Sequence, residues 1–299
     1  MKRRFVKGYM FAVLSAVIYG LMPLMSKYIY SDGVNAVTLV FLRNFLALPT
    51  LAAAAFYRHR TFTIPLKALP EITLISFFGC CLTPILLFSS YNYMATGTAT
   101  VFHFAYPSLV VLTSIIFFKK KVPFGTIISV IMCFIGIGLF YNPSETFSLT
   151  GSALALSSAV TFAGYVTMLS NRKHSTPTGL LLSFYIAAIS SAVTFAICIF
   201  TNALTFPNSL NGWILCAVFA FMVTTLAVVF FQQSTLLIGG EKTSILSTLE
   251  PITSIIAGFL FFHEPVTINI VIGSFLVVGA SILTAAADMK KKNKQGTPV

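Results

Sequence analysis

Stretches of about twenty apolar residues, parted by short polar breaks, follow one another along this 299-residue chain. That length lets a helix rising 1.5 Å per residue cross a hydrocarbon layer of ~30 Å. Ten such spans can be drawn, at about 8–29, 36–57, 70–93, 96–118, 123–141, 150–170, 178–200, 212–236, 242–262 and 266–286. The breaks carry turn and charge signals, among them Asp32-Gly33, Lys119-Lys120-Lys121-Val122-Pro123, Pro207-Asn208-Ser209 and His263-Glu264-Pro265. Charged residues make up only 9% of the chain against 57% hydrophobic ones. A water-facing domain carries roughly a quarter charged residues, so this chain could not clothe a soluble surface. The expected class is an all-α membrane protein whose main partner is the lipid bilayer.

The net charge of +12 would suggest nucleic acid in a soluble protein. Here the basic residues lie between the apolar runs, where they orient helices, and no nucleic-acid partner is expected. Ten spans put both termini on one side. That side collects Lys2, Arg3, Arg4, Lys7, Arg58, Arg60, Lys67, Lys119, Lys120, Lys121, Arg172, Lys173, Lys242, Lys290, Lys291, Lys292 and Lys294, seventeen of the nineteen Lys and Arg. The other side keeps Lys27, and Arg43 falls within a span. The bias predicts a multi-pass protein of the cytoplasmic membrane with both ends cytoplasmic. The basic, then apolar N-terminus is read as an uncleaved first helix, because its apolar stretch is too long for a signal peptide. All five cysteines sit inside apolar runs without a CxxC pair, so neither disulfide, metal nor cofactor is expected.

The chain repeats itself. Ser15–Gly20 (SAVIYG) returns as Ser158–Ala163 (SAVTFA), with Gly8 matching Gly151. Residues 104–118 return as 247–262, with Pro107 on Pro251. The expected division is therefore 1–146, 147–286 and a basic cytoplasmic tail at 287–299. Each half holds five spans, an odd number, so equivalent spans cross in opposite directions. Loop charge agrees: Lys119–Lys121 corresponds to His263-Glu264-Pro265, which has lost every lysine. Two inverted five-helix repeats around a central cavity are a device of secondary transporters.

Polar residues inside the spans mark candidate sites. Pro107 and Pro251 are helix breaks that free the carbonyls of His103 and Ser247. Thr243, Ser247, Glu250 and Ser254 share one helical face, as do Thr96, Thr100, His103 and Pro107. A charge at mid-bilayer costs about 2.5–3.5 kcal/mol on insertion scales. Glu250 and His103 are accordingly candidates for solute contact or for carrying a coupling proton. Tyr19, Tyr91, Asn92, Tyr106, Tyr165, Gln232 and Gln233 join Ser247 as candidate pocket residues. Arg43, about two turns from a span end, is expected to snorkel to the interface. Gly20, Gly164, Gly258, Gly273 and Gly279 are expected at close helix contacts.

The stretch LEPITSIIAGFLFFHEPVTINIVIGSFLVVGASIL (249–283), with its Glu250-Pro251, Glu264, Gly273 and Gly279, resembles the EamA-type members of the drug/metabolite transporter superfamily. The resemblance implies a ten-helix fold with a central cavity and export or exchange of small metabolites such as amino acids or drug-like solutes. Lys119-Lys120 departs from the Gly-Glu-like end that this family often has on the fourth span. The reading is a secondary transporter of a small organic solute, with a homo-oligomer left open. The alternatives are a non-transporting receptor or scaffold, or an intramembrane enzyme acting on a lipid. The enzyme is disfavoured because no HExxH or paired carboxylate is present, and no GxxxxGK[ST] supports ATP hydrolysis.

Overall fold

The computed structural model describes residues 2–59, 62–106, 108–109, 124–139, 148–170, 179–238, 243, 246–247 and 249–294. All regular secondary structure among them is helical. The helices are α1 (Lys2–Ser31), α2 (Ala36–His59), α3 (Leu66–Ser90), α4 (Thr96–His103), α5 (Phe124–Gly138), α6 (Leu149–Ser170), α7 (Leu180–Phe200), α8 (from Leu210 to Ile238), α9 (Leu249–Phe262) and α10 (Ile268–Lys294). Six of these, α1, α2, α3, α6, α7 and α8, are long and apolar enough to cross a membrane. Shorter apolar helices stand where the fifth, ninth and tenth spans are expected, at Ile127–Gly138, Leu249–Phe262 and Ile268–Ala280. The fourth expected span is described only as far as Leu109. Pro107, Lys119–Lys121, Arg172, Lys173 and Lys242 lie outside the described residues.

Helix pairing follows a simple rule. α1 packs on α8 and α9, while α6 packs on α3 and α4. α2 packs on α7, α4 on α9, and α5 on α10. Exchanging α1–α5 for α6–α10 turns this set of contacts into itself. Small residues permit the closest of them. A Cβ on Gly20 would lie 2.5 Å from Thr253 Cβ and 2.8 Å from the Glu250 carbonyl oxygen, so the backbone of α1 comes up against both backbone and side chain of α9. Gly164 differs from expectation, since a Cβ there would meet only its own helix, at Met168.

The contacts also fix direction. Gly8 lies against Ile238, Phe11 stacks on Phe230 at 5.3 Å, and Ser15 donates to the Ala227 carbonyl at 2.9 Å, so α1 and α8 are antiparallel. α1 and α9 are parallel, with Gly20 beside Glu250 and Lys27 beside Glu264. One end of the bundle gathers Lys27, Asp32, Asn35, Tyr93, Thr96, Gly151, Ala203, Asn208 and Glu264 through direct contacts. α1 ends there and α6 begins there, so these two helices run in opposite directions.

α3 and α8 each contain a stretch of wider π-helical turns, Phe77–Leu82 and Ala220–Ala227, at matching places in the two halves. Such turns leave carbonyls without their usual partners, and side chains supply them. Thr83 Oγ1 donates to the Phe78 carbonyl at 2.6 Å, and Asn44 Nδ2 to that of Cys80 at 3.3 Å. The core is filled by buried Phe88, Phe102, Phe104, Phe219, Leu39 and Val40. Large apolar side chains such as Phe200, Phe261, Leu260 and Phe275 face outward, as a lipid-facing surface requires.

Candidate functional site

α4 ends at His103, Phe104 and Ala105 form a turn, and helical backbone resumes at Tyr106. The break directly precedes Pro107, whose lack of an N–H and bulky ring disfavour an unbroken helix. Pro251 lies two residues into α9, and helical backbone is also present just before it at Leu246 and Ser247, so its missing N–H leaves the Ser247 carbonyl without that partner. The polar faces expected on the fourth and ninth spans meet each other. Thr100 Oγ1 lies 3.2 Å from Ser254 Oγ, and Thr100 also donates to the Thr96 carbonyl at 2.8 Å.

Around this seam the structure brings together six of the sequence-predicted residues. The carboxylate of half-buried Glu250 lies within electrostatic reach of the hydroxyls of Tyr19, Tyr91 and Tyr106, which come from α1, the turn after α3, and the resumed fourth span. Among the described residues it makes no hydrogen bond or ion pair. The His103 ring lies 5.8 Å from Tyr106 and 5.2 Å from Phe162 of α6. Phe162 packs edge-on against Tyr106 at 4.7 Å and reaches Tyr165 at 5.3 Å. His103 Nδ1 sits 2.9 Å from Ser158 Oγ, which itself donates to the Ala155 carbonyl at 2.6 Å. With the serine proton committed to that carbonyl, His103 Nδ1 is the donor to Ser158 Oγ. The Tyr165 ring occupies the place of a side chain at Gly79, inside the π-helical stretch of α3.

The other candidates lie apart from this cluster. Ser247 is buried and donates to the Thr243 carbonyl one turn earlier at 3.1 Å. Gln233 is exposed, and the side chain of Gln232 lies outside the described residues. Asn92 is exposed and lines a cavity of about 440 Å³ at the end of the bundle where α1 finishes. Tyr91, Lys27 and Glu264 line the same cavity. Tyr91 therefore links the cavity to the central cluster.

Beside that cavity Glu264 ties three helices together. Its Oε1 accepts from Lys27 Nζ at 2.8 Å and from the Thr96 backbone N–H at 3.0 Å, and Thr96 Oγ1 lies 3.1 Å from both carboxylate oxygens. Ala95, the N-cap of α4, supplies no side-chain cap. A carboxylate from beyond α9 does so instead, taking up an orphan donor at the positive end of the helix. His263 adopts a left-handed φ of 52° so that the chain turns back and Glu264 N–H reaches the Gly258 carbonyl at 3.2 Å.

Arg43 corrects the sequence reading. It does not snorkel: only 9% of it is exposed, and its guanidinium lies over the Phe88 ring at 5.5 Å, beside the Cys80 thiol. Its Nε is buried without a hydrogen-bond partner among the described residues. Tyr19 and Tyr91 feel its charge as well as that of Glu250. The interior position wins because Asn44, the next residue, anchors α2 to the π-helical turns of α3 and turns this face of α2 inward. A charge that deep in an apolar run is by default a functional group. That signal was present in the sequence. The partnership of His103 with Ser158 and the fit of Tyr165 over Gly79 had no such signal, because both are contacts between distant spans.

The EamA-like transporter family model matches this chain twice, over residues 6–142 and 149–286. A protein of Haemophilus influenzae named an uncharacterized transporter is 26% identical over 310 aligned residues, covering 95% of this chain and 96% of its own. Proteins of the same name from Archaeoglobus fulgidus (25% identical, 71% of this chain and 76% of its own) and Clostridium kluyveri (20% identical, 95% and 94%) are also similar. One solved crystal structure superposes with a TM-score of 0.64 at 16% identity, over 97% of this chain and 99% of that one, a likeness of fold alone. With two matches that together span nearly its whole length, this multi-pass membrane protein belongs to the EamA-like transporter family.

Proposed function

We propose that this protein is a secondary transporter that exports or exchanges a small organic solute by alternating access between two inverted five-helix halves. On this reading it spans the cytoplasmic membrane ten times, with both termini in the cytoplasm. One observation carries the reading: the helix contacts map onto themselves when the halves are exchanged, and the polar cluster lies where α1, α4, α6 and α9 meet. A site at such a junction faces one side or the other according to which half adopts which conformation. The opposite directions of α1 and α6 support inversion of the halves.

The moving parts follow from the same contacts. α1, α8 and α9 form one packed group, and α3, α4 and α6 form its counterpart. The α2–α7 and α5–α10 seams join the halves. The π-helical stretches of α3 and α8 are natural places for these groups to bend. Opening the end that bears Glu264 requires its bonds to Lys27 and Thr96 to part. The solute would meet Tyr19, Tyr91, Tyr106, Tyr165, His103 and Glu250. Glu250, ringed by tyrosines and without a fixed partner among the described residues, is the better placed proton carrier. His103 is the second candidate, its Nδ1 held by Ser158.

Counterflow tests the reading. Proteoliposomes preloaded with an unlabelled mixture of amino acids, nucleosides, sugars and organic acids are offered one labelled member at a time. Transient accumulation of at least one is expected, with no ATP supplied. No accumulation of any member above that of empty liposomes would favour a receptor or scaffold.

A further inference from the structure

The cavity of about 440 Å³ at the end of the bundle where α1 finishes is the outer one on the proposed topology. Both halves wall it. Lys27 of α1, Asn92 and Tyr93 after α3 and Leu139 after α5 come from the first, Glu264 after α9 and Asn269 of α10 from the second. Its volume falls in the range of small-molecule sites, about 300–1,000 Å³. Lys27 and Glu264 already satisfy each other at 2.8 Å. The ammonium group also lies over the Phe262 ring at 4.9 Å, and the carboxylate accepts from Thr96 as well. An ionic ligand would have to break this pair and orphan one partner, so it gains little from either charge. Asn92, Tyr93 and Asn269 are exposed on the same wall, and their amides and hydroxyl both donate and accept. The repeat supplies no second copy of the carboxylate: opposite His263-Glu264-Pro265 the first half has Lys119-Lys120-Lys121. A site built on Glu264 is therefore encoded at one end of the bundle.

We propose that this cavity is a regulatory site for an uncharged, polyhydroxylated solute of monosaccharide to nucleoside size, which holds the Glu264 end of the bundle closed. Binding at the site does not depend on the transporter reading above; only its effect on solute flow rests on that reading. Hydroxyl groups suit the wall because each donates and accepts, as do the asparagine amides that face them. The C–H face of such a molecule packs on Leu139 and Ile270. A molecule with two opposite charges is received only by parting Lys27 from Glu264, which would loosen this end. An uncharged one leaves the pair in place. Opening the end separates Glu264 from Lys27 and Thr96, and with them the walls that the two halves contribute. An occupant touching both halves therefore binds the closed arrangement more tightly and shifts the equilibrium toward it. Such a solute on the outer side acts as a brake.

The test is hydrogen exchange of the full chain in phosphatidylcholine nanodiscs free of glycoside detergent, read at residues 96–100. The probes are glucose, sorbitol, adenosine and uridine. Their charged counterparts are glucose 6-phosphate, N-methylglucamine, AMP and UMP. At least one uncharged probe should slow exchange at 96–100 by at least ~fivefold, and its counterpart should fail to do so at tenfold higher concentration. Asn92→Ala and Asn269→Ala should each raise the probe concentration needed at least ~fivefold, while Glu250→Gln, in the central cluster, leaves it unchanged. Silence of all four probes would overturn the proposal, as would an equal response to a charged counterpart or faster exchange at 96–100. A response lost in Glu250→Gln and kept in both asparagine variants would place the probe in the central cluster and overturn it too. Because probes and counterparts are compared on the wild-type protein, the test stands even if a variant fails to fold. A probe that slows exchange in a protein without any counterflow would leave this site standing and sink the transporter reading. Counterflow together with four silent probes would do the reverse.

Discussion

Replacing Glu264 with glutamine cuts the knot between α1, α4 and the end of α9. The wild-type carboxylate accepts from an ammonium group at 2.8 Å and a backbone amide at 3.0 Å, with side-chain exposures of 11% for Glu264 and 28% for Lys27. Hydrogen bonds to a charged group are worth about 1.5–3 kcal/mol each, and a negative charge at a helix N-terminus adds about 0.3–1 kcal/mol. Glutamine keeps one acceptor oxygen, so a neutral bond of about 0.5–1.5 kcal/mol to Thr96 survives. The net loss is about 2–6 kcal/mol, or an easier parting of this end by a factor of at least ~30 at 1.4 kcal/mol per factor of ten. Hydrogen exchange followed by mass spectrometry reads this directly. Amides of residues 96–100 should exchange at least ~30-fold faster in Glu264→Gln, while the α2–α7 seam at 38–47 and 187–198 keeps its protection. Unchanged exchange at 96–100 would refute the latch. An equal rise at the seam would mean that Glu264 stabilises the whole fold and is not a local tie.

Four further outcomes are expected. Gly20→Ala should cost about 1–3 kcal/mol of stability by overpacking, because its Cβ meets the Glu250 carbonyl oxygen at 2.8 Å. Gly164→Ala, whose Cβ would meet only Met168 Cε at 3.9 Å, should leave Tm unchanged or raised. His263→Gly should stabilise the chain by roughly 0.5–1 kcal/mol, since glycine adopts a φ of 52° without strain. A lowered Tm would show that the His263 side chain makes a contact that outweighs its backbone strain. In proteoliposomes at saturating solute, Glu250→Gln should lose the response to an imposed pH gradient while exchange persists. An undiminished response would remove Glu250 as the proton carrier.

The helical, membrane-spanning character of this chain was legible because apolar run length and loop charge are local signals. Many members of the candidate cluster were legible as candidates too. Glu250, His103 and the prolines stand out as polar or irregular residues in apolar runs, and Tyr19 was found through the repeat. Arg43 was visible but assigned to the wrong place, because a side chain two turns from an interface can reach either water or the interior. Its choice depends on which face of α2 meets α3, and that is set by Asn44 reaching the Cys80 carbonyl across 36 residues of chain. The π-helical stretches of α3 and α8 carry no proline or glycine pattern common to both, so spacing alone did not announce them. The service of Glu264 to the α4 N-terminus spans 168 residues, and only the fold makes it apparent. Gln233 was chosen for its polarity within a span, yet it stands exposed on α8.

Inversion of the halves is tested most directly by which side of the membrane equivalent loops face. Lys67, before the long part of α3, and Asn202, after α7, occupy corresponding loops, and both are exposed. In a cysteine-free background, Lys67→Cys and Asn202→Cys are treated with a membrane-impermeant thiol reagent on intact cells and again after permeabilisation. Inverted halves require Asn202→Cys to react on intact cells and Lys67→Cys to react only once the membrane is opened. Labelling of both from the same side would contradict the inverted arrangement, and with it the alternating access that depends on it.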